Sequence, residues 1–558
     1  MTHPDPPPEP RFADTILCNA TVYTMVDEQP WAEAIAIAGG QILAVGSSAE
    51  LAGYVGPRTS RRDLHGAFVM PGFVDVHNHH ALAGRAELFE LQLPPGASLA
   101  QLLDAVRGYA ATLPDGAWVT GGSWASTLIG QLQSEQARHQ LDLAGKSHPV
   151  LLGDDSRHNR WANSRALELA AVTAATADPS GGRIVRDEST GQPTGLLLEA
   201  AGLLVERVAR QTAPLSPDQH VRASQRAIEV LHSFGVTAFQ DAGVSVDILG
   251  SLKSLDDAGK LAAWVVSCLL INDPIFGFAP IGQPLLERAA EFRSKHHRPD
   301  FVKIFLDGVP PAHTAAFLHP YLAHPRHGAD FRGSTTMTAE QLLHWLRTAA
   351  AAGLSAKIHC TGDAAVRDVL DAVQALRGEG YLQTRFQVAH GQFVDPADLA
   401  RFGELGVSAD ISPFIWVPGV IPDAIAEVLP AERAAQMQPN RSLIDTGALV
   451  AGGSDWPVSE SPNAWEGIQG LVTRQDPSGS HPGTLWAEQA ITLAEALAVF
   501  TSNGAQAIGM DDVTGSLRAG KSADLIVVDR NPFEVATEEL AQLRVRETVF
   551  GGATVFQN

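Results

Sequence analysis

Phe73-Val74-Asp75-Val76-His77-Asn78-His79-His80 reads as a buried apolar strand that runs straight into histidines. Side chains alternate along a strand, so His77 and His79 share a face, about 7 Å apart, where two imidazoles can converge on one metal centre. Seven further apolar strands follow: Val236–Asp241, Ala263–Ile271, Phe301–Asp307, Leu354–His359, Arg385–His390, Gly406–Ile411 and Leu449–Asp455. Ala- and Leu-rich helical stretches lie between them, including Asp218–Phe234, Thr338–Ala352, Ala364–Arg377 and Ala397–Leu405. Strands alternating with helices imply parallel strands joined by right-handed crossovers. Eight such units make the α/β class, and the (β/α)8 TIM-type barrel, the expected fold. An open doubly wound sheet is the alternative, but the Gly-rich phosphate turn that often follows its first strand is absent.

The ionisable residues gather where those strands stop. Lys303 interrupts the apolar run Phe301-Val302-Lys303-Ile304-Phe305, and strands five, six and eight end at His359, His390 and Asp455. The C-terminal rim is where barrel active sites form. Singly, each has an ordinary reading: a hydrogen-bonded structural histidine, a snorkelling lysine, a helix N-cap aspartate. Four histidines, a lysine and an aspartate spread over five strands of one barrel point instead to a shared centre. Imidazole and carboxylate ligands suit zinc, manganese or iron rather than soft Cu(I). One or two divalent ions, zinc first among them, are the expected cofactor.

About 155 residues separate the first strand from the second, far beyond ordinary loop length. Residues from about 85 to 215 are therefore expected to form an insert on the barrel's top face, with a hairpin at Gly181–Pro193. Both chain ends have a different character. Thr15–Met25, Ala34–Ala38 and Gln41–Val45 near the start, and Ala523–Val528, Arg544–Phe550 and Ala553–Phe556 near the end, read as short antiparallel strands. The economical arrangement is one β-sandwich from residues 13–70 and 508–558, around a barrel of 71–507 and behind a disordered tail, 1–12. Two unrelated β units are the alternative.

Composition removes several function classes. The chain has 558 residues, a prior of two to four domains, and its 45 % hydrophobic and 18 % charged residues exclude wholesale disorder. Its 40 Lys and Arg against 62 Asp and Glu give a net charge of −22. Without clustered basic residues neither nucleic acid nor an anionic membrane is an expected partner. Cys18, Cys268 and Cys360 are too few and too far apart for a disulfide framework, which fits a reducing cytoplasm. Met1–Pro10 lacks the basic and apolar regions of a signal peptide, and the longest apolar run, about Leu261–Ile271, is too short to span a bilayer. A cytoplasmic protein acting on a small molecule is the expectation, with a homo-oligomer left open.

Several stretches carry a resemblance. They are Met70-Pro71-Gly72-Phe73-Val74-Asp75-Val76-His77-Asn78-His79, Val302-Lys303-Ile304-Phe305-Leu306-Asp307-Gly308, His359-Cys360-Thr361-Gly362-Asp363 and His390-Gly391-Gln392. To these add Gly453-Ser454-Asp455-Trp456-Pro457-Val458, the closing Gly515-Ser516-Leu517 with Gly520-Lys521-Ser522-Ala523-Asp524-Leu525, and Trp161-Ala162-Asn163-Ser164 and Gly195-Leu196-Leu197-Leu198-Glu199 in the insert. In this order the chain resembles the amidohydrolase superfamily, and more closely the branch that includes N-substituted formamide deformylases. The resemblance implies a barrel with a split β-sandwich. It implies that His77 and His79 hold one metal, that His359 and His390 hold another, that Asp455 completes the first site, and that Lys303 bridges the two as a carbamate. The lysine chemistry is coherent: beside two dications an ammonium is repelled, its pKa falls, and the neutral amine can take up carbon dioxide. With a single ion Lys303 can stay unmodified. Two departures stand out. Ala389 precedes His390 where the family carries a glutamate, and an extra His80 follows the histidine pair, on the opposite face from His79 if the strand continues.

The implied reaction is hydrolysis of a non-peptide C–N bond in a small N-substituted amide. Metal lowers the pKa of bound water towards about 7, the hydroxide attacks the carbonyl, and Asp455 moves the proton to the leaving nitrogen. Oxyanion donors are sought in Arg157, His158, Asn159 and Asn163 of the insert. Trp124, Trp161 and Trp456 are candidate walls of an apolar pocket, or equally core residues. His313, His319, His324 and His327 read as a lid in the strand-four loop, with a metal-storage site as the lesser reading, and Lys295-His296-His297-Arg298 reads as a solvated turn. Lactone, carbamate or deamination substrates fit the same chemistry. A non-catalytic binding protein is the competing class.

Overall fold

The computed structural model describes residues 12–558 apart from 95, 155–158, 180–181, 274 and 326. Eight parallel strands make a nearly closed barrel in chain order: Phe73–Asn78, Val236–Val244, Trp264–Leu270, His297–Phe305, Ser355–Cys360, Phe386–His390, Val407–Ile411 and Val450–Gly452. Each overlaps its sequence-derived counterpart, because strands covered on both faces read as near-continuous apolar runs. Strand eight meets strand one through Asp455 N–H donating to His77 O (2.6 Å) and Ser454 N–H and Oγ donating to Asp75 (3.0 and 2.6 Å). Gly453 permits this approach. A Cβ there would stand 2.6 Å from His77 N and 2.8 Å from its Cα.

Helices cover the barrel, and their starts are written in the sequence. Pro217–Ser233 begins with Pro at the first position and a capping box between Ser216 and Gln219; Ala339–Ala351 begins with the same device between Thr338 and Gln341. Val74, Val76, Ala238, Val266, Cys268, Phe301 and Ala451 of the strands share one buried cluster with Ala505, Ala507, Ile508 and Met510. On another side, fully buried Trp465 meets Phe73 edge-on at 5.2 Å. Trp465→Ala is expected to lower stability by about 3–5 kcal/mol. An earlier midpoint in urea denaturation checks this, and an unchanged midpoint refutes it.

Residues 91–199 contribute a six-stranded sheet of order Gly182–Arg186, Pro193–Glu199, Asn159–Ala162, Val150–Asp154, Val119–Trp124 and Leu91–Gln92. Its first two strands are antiparallel, on either side of the turn expected as a hairpin. This unit has its own apolar core, including Leu102, Val106, Trp124, Leu141 and Trp161.

The chain ends meet. One six-stranded sheet runs Ala553–Gln557, Val545–Phe550, Leu525–Val528, Phe68–Pro71, Thr21–Tyr23, Trp31–Ala32, with Leu525–Val528 antiparallel to Phe68–Pro71. A four-stranded sheet of Gln41–Gly46, Ala34–Ala38, Thr15–Cys18 and Ser60–Asp63 shares with it the cluster of Leu17, Ile35, Ile37, Val69, Leu525 and Val549. Among the described residues no helix is long and apolar enough to cross a membrane.

Candidate metal centre

The strand ends carry the six sequence-predicted donors to one place. His77 lies on strand one; His79 is the N-cap of the next helix, His80–Phe89; Lys303 is within strand four; His359 and His390 close strands five and six; Asp455 lies just beyond strand eight. All six are buried. His77 Nε2 and His79 Nε2 stand 3.6 and 3.5 Å from Asp455 Oδ1, and one ligand atom from each of these three residues lies within 4.8 Å of the others. The His390 ring is 4.8 Å from that of His77 and 4.7 Å from that of His359, and Lys303 Nζ is 3.4 Å from His77 Nε2. His390 and Asp455 adopt positive φ (71° and 56°), where non-glycine residues persist only when neighbours hold them. Gln438 Nε2 donates to His390 O (2.8 Å), and the barrel-closing bond to His77 O anchors Asp455.

Burial sets the electrostatics. It holds the His77 and His390 imidazoles well below their ordinary pKa, with help from Lys303 and Lys357 at His77 and from His359 at His390, so both rings are neutral. Burial, and after it the Lys357 ammonium, lowers Lys303 to about 8. Neutral imidazole is the form that binds metal. The Nδ1 atoms of His79 and His390 are buried without a hydrogen-bond partner among the described residues, which is costly for a polar atom unless it serves as a ligand or meets water. The donor set therefore fits a divalent cation.

Two residues that strand-end reading missed stand behind this set. Asp410 on strand seven accepts from His77 Nδ1 (2.7 Å) and from Lys357 of strand five; Lys357 also donates to Val76 O (2.8 Å). The signal was present, since each is a charge inside an apolar strand, as Lys303 is. Asp75 is a third: it accepts from Ser454, from Asn78 Nδ2 (3.1 Å) and from His77 N–H (3.1 Å). The extra His80 turns away, its Nδ1 paired with Asp241 (2.6 Å).

The insert residues are placed differently from the donors. Arg157 and His158 lie outside the described residues. Asn159 is tied to Asp154 through Nδ2 (2.7 Å). Fully buried Asn163 caps the helix Ser164–Leu169, accepting from Ala166 N–H (3.0 Å) and Val150 N–H (2.9 Å) and donating to His148 O (3.0 Å), so its amide is engaged locally. Trp124 and Trp161 pack in the insert's own core. Trp456 is beside the centre, its carbonyl accepting from His79 N–H (2.8 Å). The aromatic rings against the donors are chiefly others: Phe276 on His79 (5.0 Å), Phe305 on His359 (5.6 Å) and Trp416 on His390 (6.4 Å).

In the strand-four loop the rings of His313, His324 and His327 pack together at 5.1–5.3 Å, with Tyr321 and Phe331 alongside, and His319 is exposed. The solvated turn expected at Lys295-His296-His297-Arg298 needs correction. Strand four starts at His297, whose buried ring bonds Ser267 Oγ and Phe292 O (both 2.9 Å), while His296 pairs with Asp256 (2.7 Å). A strand entered through polar residues hides its start when only apolar runs are sought.

A parallel barrel with buried histidines and an aspartate converging at its C-terminal rim is an arrangement that could hold a divalent ion. The chain belongs to the amidohydrolase family, whose profile matches residues 62–556. It is a hydrolase of carbon–nitrogen bonds other than peptide bonds. It is 31 % identical to an N-substituted formamide deformylase of Arthrobacter pascens, over 98 % of this chain and 99 % of that one. It is 30 % identical to the protein LONG AFTER FAR-RED 3 of Arabidopsis thaliana, over 99 % and 93 %. In fold it matches an uncharacterized metal-dependent hydrolase of Pyrococcus horikoshii, with TM-score 0.74, 24 % identity, and 94 % and 99 % of the two chains covered.

Proposed function

We propose that this amidohydrolase cleaves small N-substituted amides, N-formyl amines first among them, to a carboxylic acid and a free amine. The observation that carries the reading is the convergence of His77, His79 and Asp455 on one point, with His359, His390 and Lys303 adjoining. His77, His79 and Asp455 would hold one divalent ion, zinc by preference, and His359 and His390 a second. Lys303, its ammonium already disfavoured, would bridge them as a carbamate. When bound, the metal supplies Lewis acidity at neutral pH.

The chain's own groups do the rest. Asp455 takes a proton from the attacking water as its oxygen bonds to the carbonyl carbon, then delivers it to the nitrogen as the C–N bond breaks. Phe276, Phe305 and Trp456 present apolar surface to the N-substituent. The resemblance to a formamide deformylase supports the choice of substrate. The test is amine release from a panel of N-formyl and N-acyl amines, with and without chelator. Chelator-sensitive release restored by zinc is expected. No release from zinc-loaded protein overturns the amide reading.

A further inference from the structure

Lys357, Asp410 and His77 form a continuous buried chain across strands five, seven and one, each of them at most 1 % exposed. Asp410 Oδ2 takes both donors, and Lys357 adds a bond to Val76 O, the peptide preceding His77 (2.8 Å). The consequence for His77 is specific. With Nδ1–H pointed at a carboxylate, the imidazole is held in the tautomer whose Nε2 carries a lone pair, and that lone pair faces Asp455 Oδ1 and Lys303 Nζ. The ring is also fixed about its χ angles, since a swing would break the 2.7 Å bond to Asp410. Lys357 holds the carboxylate in place from the other side. Among the described residues the Nδ1 atoms of His79 and His390 find no such partner.

We infer that Asp410 and Lys357 are positioning residues, a buried pair that orients His77 Nε2 toward a divalent ion and so sets the affinity of the centre. This rests on the metal reading above and goes beyond it, since it assigns an affinity-setting role to a pair that holds no ion itself. Such carboxylate–histidine partners typically contribute 10–100-fold in metal affinity.

A purely structural role must be separated from a positioning one. The double variant Lys357→Met/Asp410→Leu replaces the ion pair by apolar groups of similar size, an exchange that buried pairs often tolerate, yet it leaves His77 Nδ1 without its acceptor. Zinc affinity of the full chain is measured by competition with a chromophoric chelator, alongside circular dichroism and thermal unfolding. The expected result is a folded double variant with zinc affinity lowered about 10–100-fold. Asp410→Asn, which keeps an acceptor oxygen but loses the charge, is measured in parallel in case the double variant does not fold, and is expected to show a smaller loss in the same direction. Folded variants that bind zinc within about threefold of wild type overturn the inference. Wild-type protein that takes up no zinc overturns instead the metal reading on which it rests.

Discussion

Asp455→Asn is expected to lower the proposed amide hydrolysis by about 10³-fold or more while leaving the fold intact. Its Oδ1 stands at 3.6 and 3.5 Å from the Nε2 atoms of His77 and His79, and among the described residues it is the carboxylate grouped with both. The substitution is isosteric, and the backbone bond from residue 455 to His77 O survives it. Asparagine also tolerates the positive φ of 56° found there. In the proposed mechanism two functions would go together: one negative charge beside the metal, and the proton carrier, which alone is typically worth about 10²–10⁴-fold. Steady-state turnover of the best amide, with circular dichroism as control, decides it. A loss of less than about tenfold would remove Asp455 from the mechanism.

Gly453→Ala has the largest expected effect on stability. The added methyl meets His77 backbone atoms at 2.6 and 2.8 Å, and these cannot rotate away as a side-chain end can. Strand eight must withdraw from strand one, which opens the Asp455–His77 and Ser454–Asp75 bonds that close the barrel. Overpacking at about 1–3 kcal/mol and three hydrogen bonds at about 1 kcal/mol each put the loss at about 4–6 kcal/mol. Thermal unfolding and zinc binding should deteriorate together, since the same displacement moves Asp455. Gly250→Ala is the control: a Cβ there meets nothing within 4 Å inside the helix Val246–Asp257, and stability should be equal or higher by up to about 1 kcal/mol. A Gly453→Ala protein as stable as this control would contradict the account of closure.

The barrel and its donors were legible because two signals coincide. Parallel strands covered on both faces read as apolar runs, and a charge or histidine at the end of such a run stands out. Lys357 and Asp410 carried that same signal, but their pairing across strands five and seven exists only once the barrel has closed. The tryptophans show the opposite limit. Indole size marks Trp124 and Trp161 as buried without saying in which core, and the insert proved to have its own. The rings at the centre, Phe276 and Phe305, have no sequence mark that sets them apart from core phenylalanines. Asn163 resembled an oxyanion donor by position, while its place just before Ser164–Leu169 fits the commoner role of helix cap.

The sheet shared by the two chain ends has a consequence in time. Phe68–Pro71 leaves the ribosome roughly 450 residues before its antiparallel neighbour Leu525–Val528. At about 5–20 residues per second, about 20–90 s passes in which an apolar strand edge waits unpaired. Such an edge is a template for pairing with other chains. Slowed translation, or a nascent chain stalled before residue 525, would therefore be expected to aggregate through the N-terminal strands, even where the barrel has already formed.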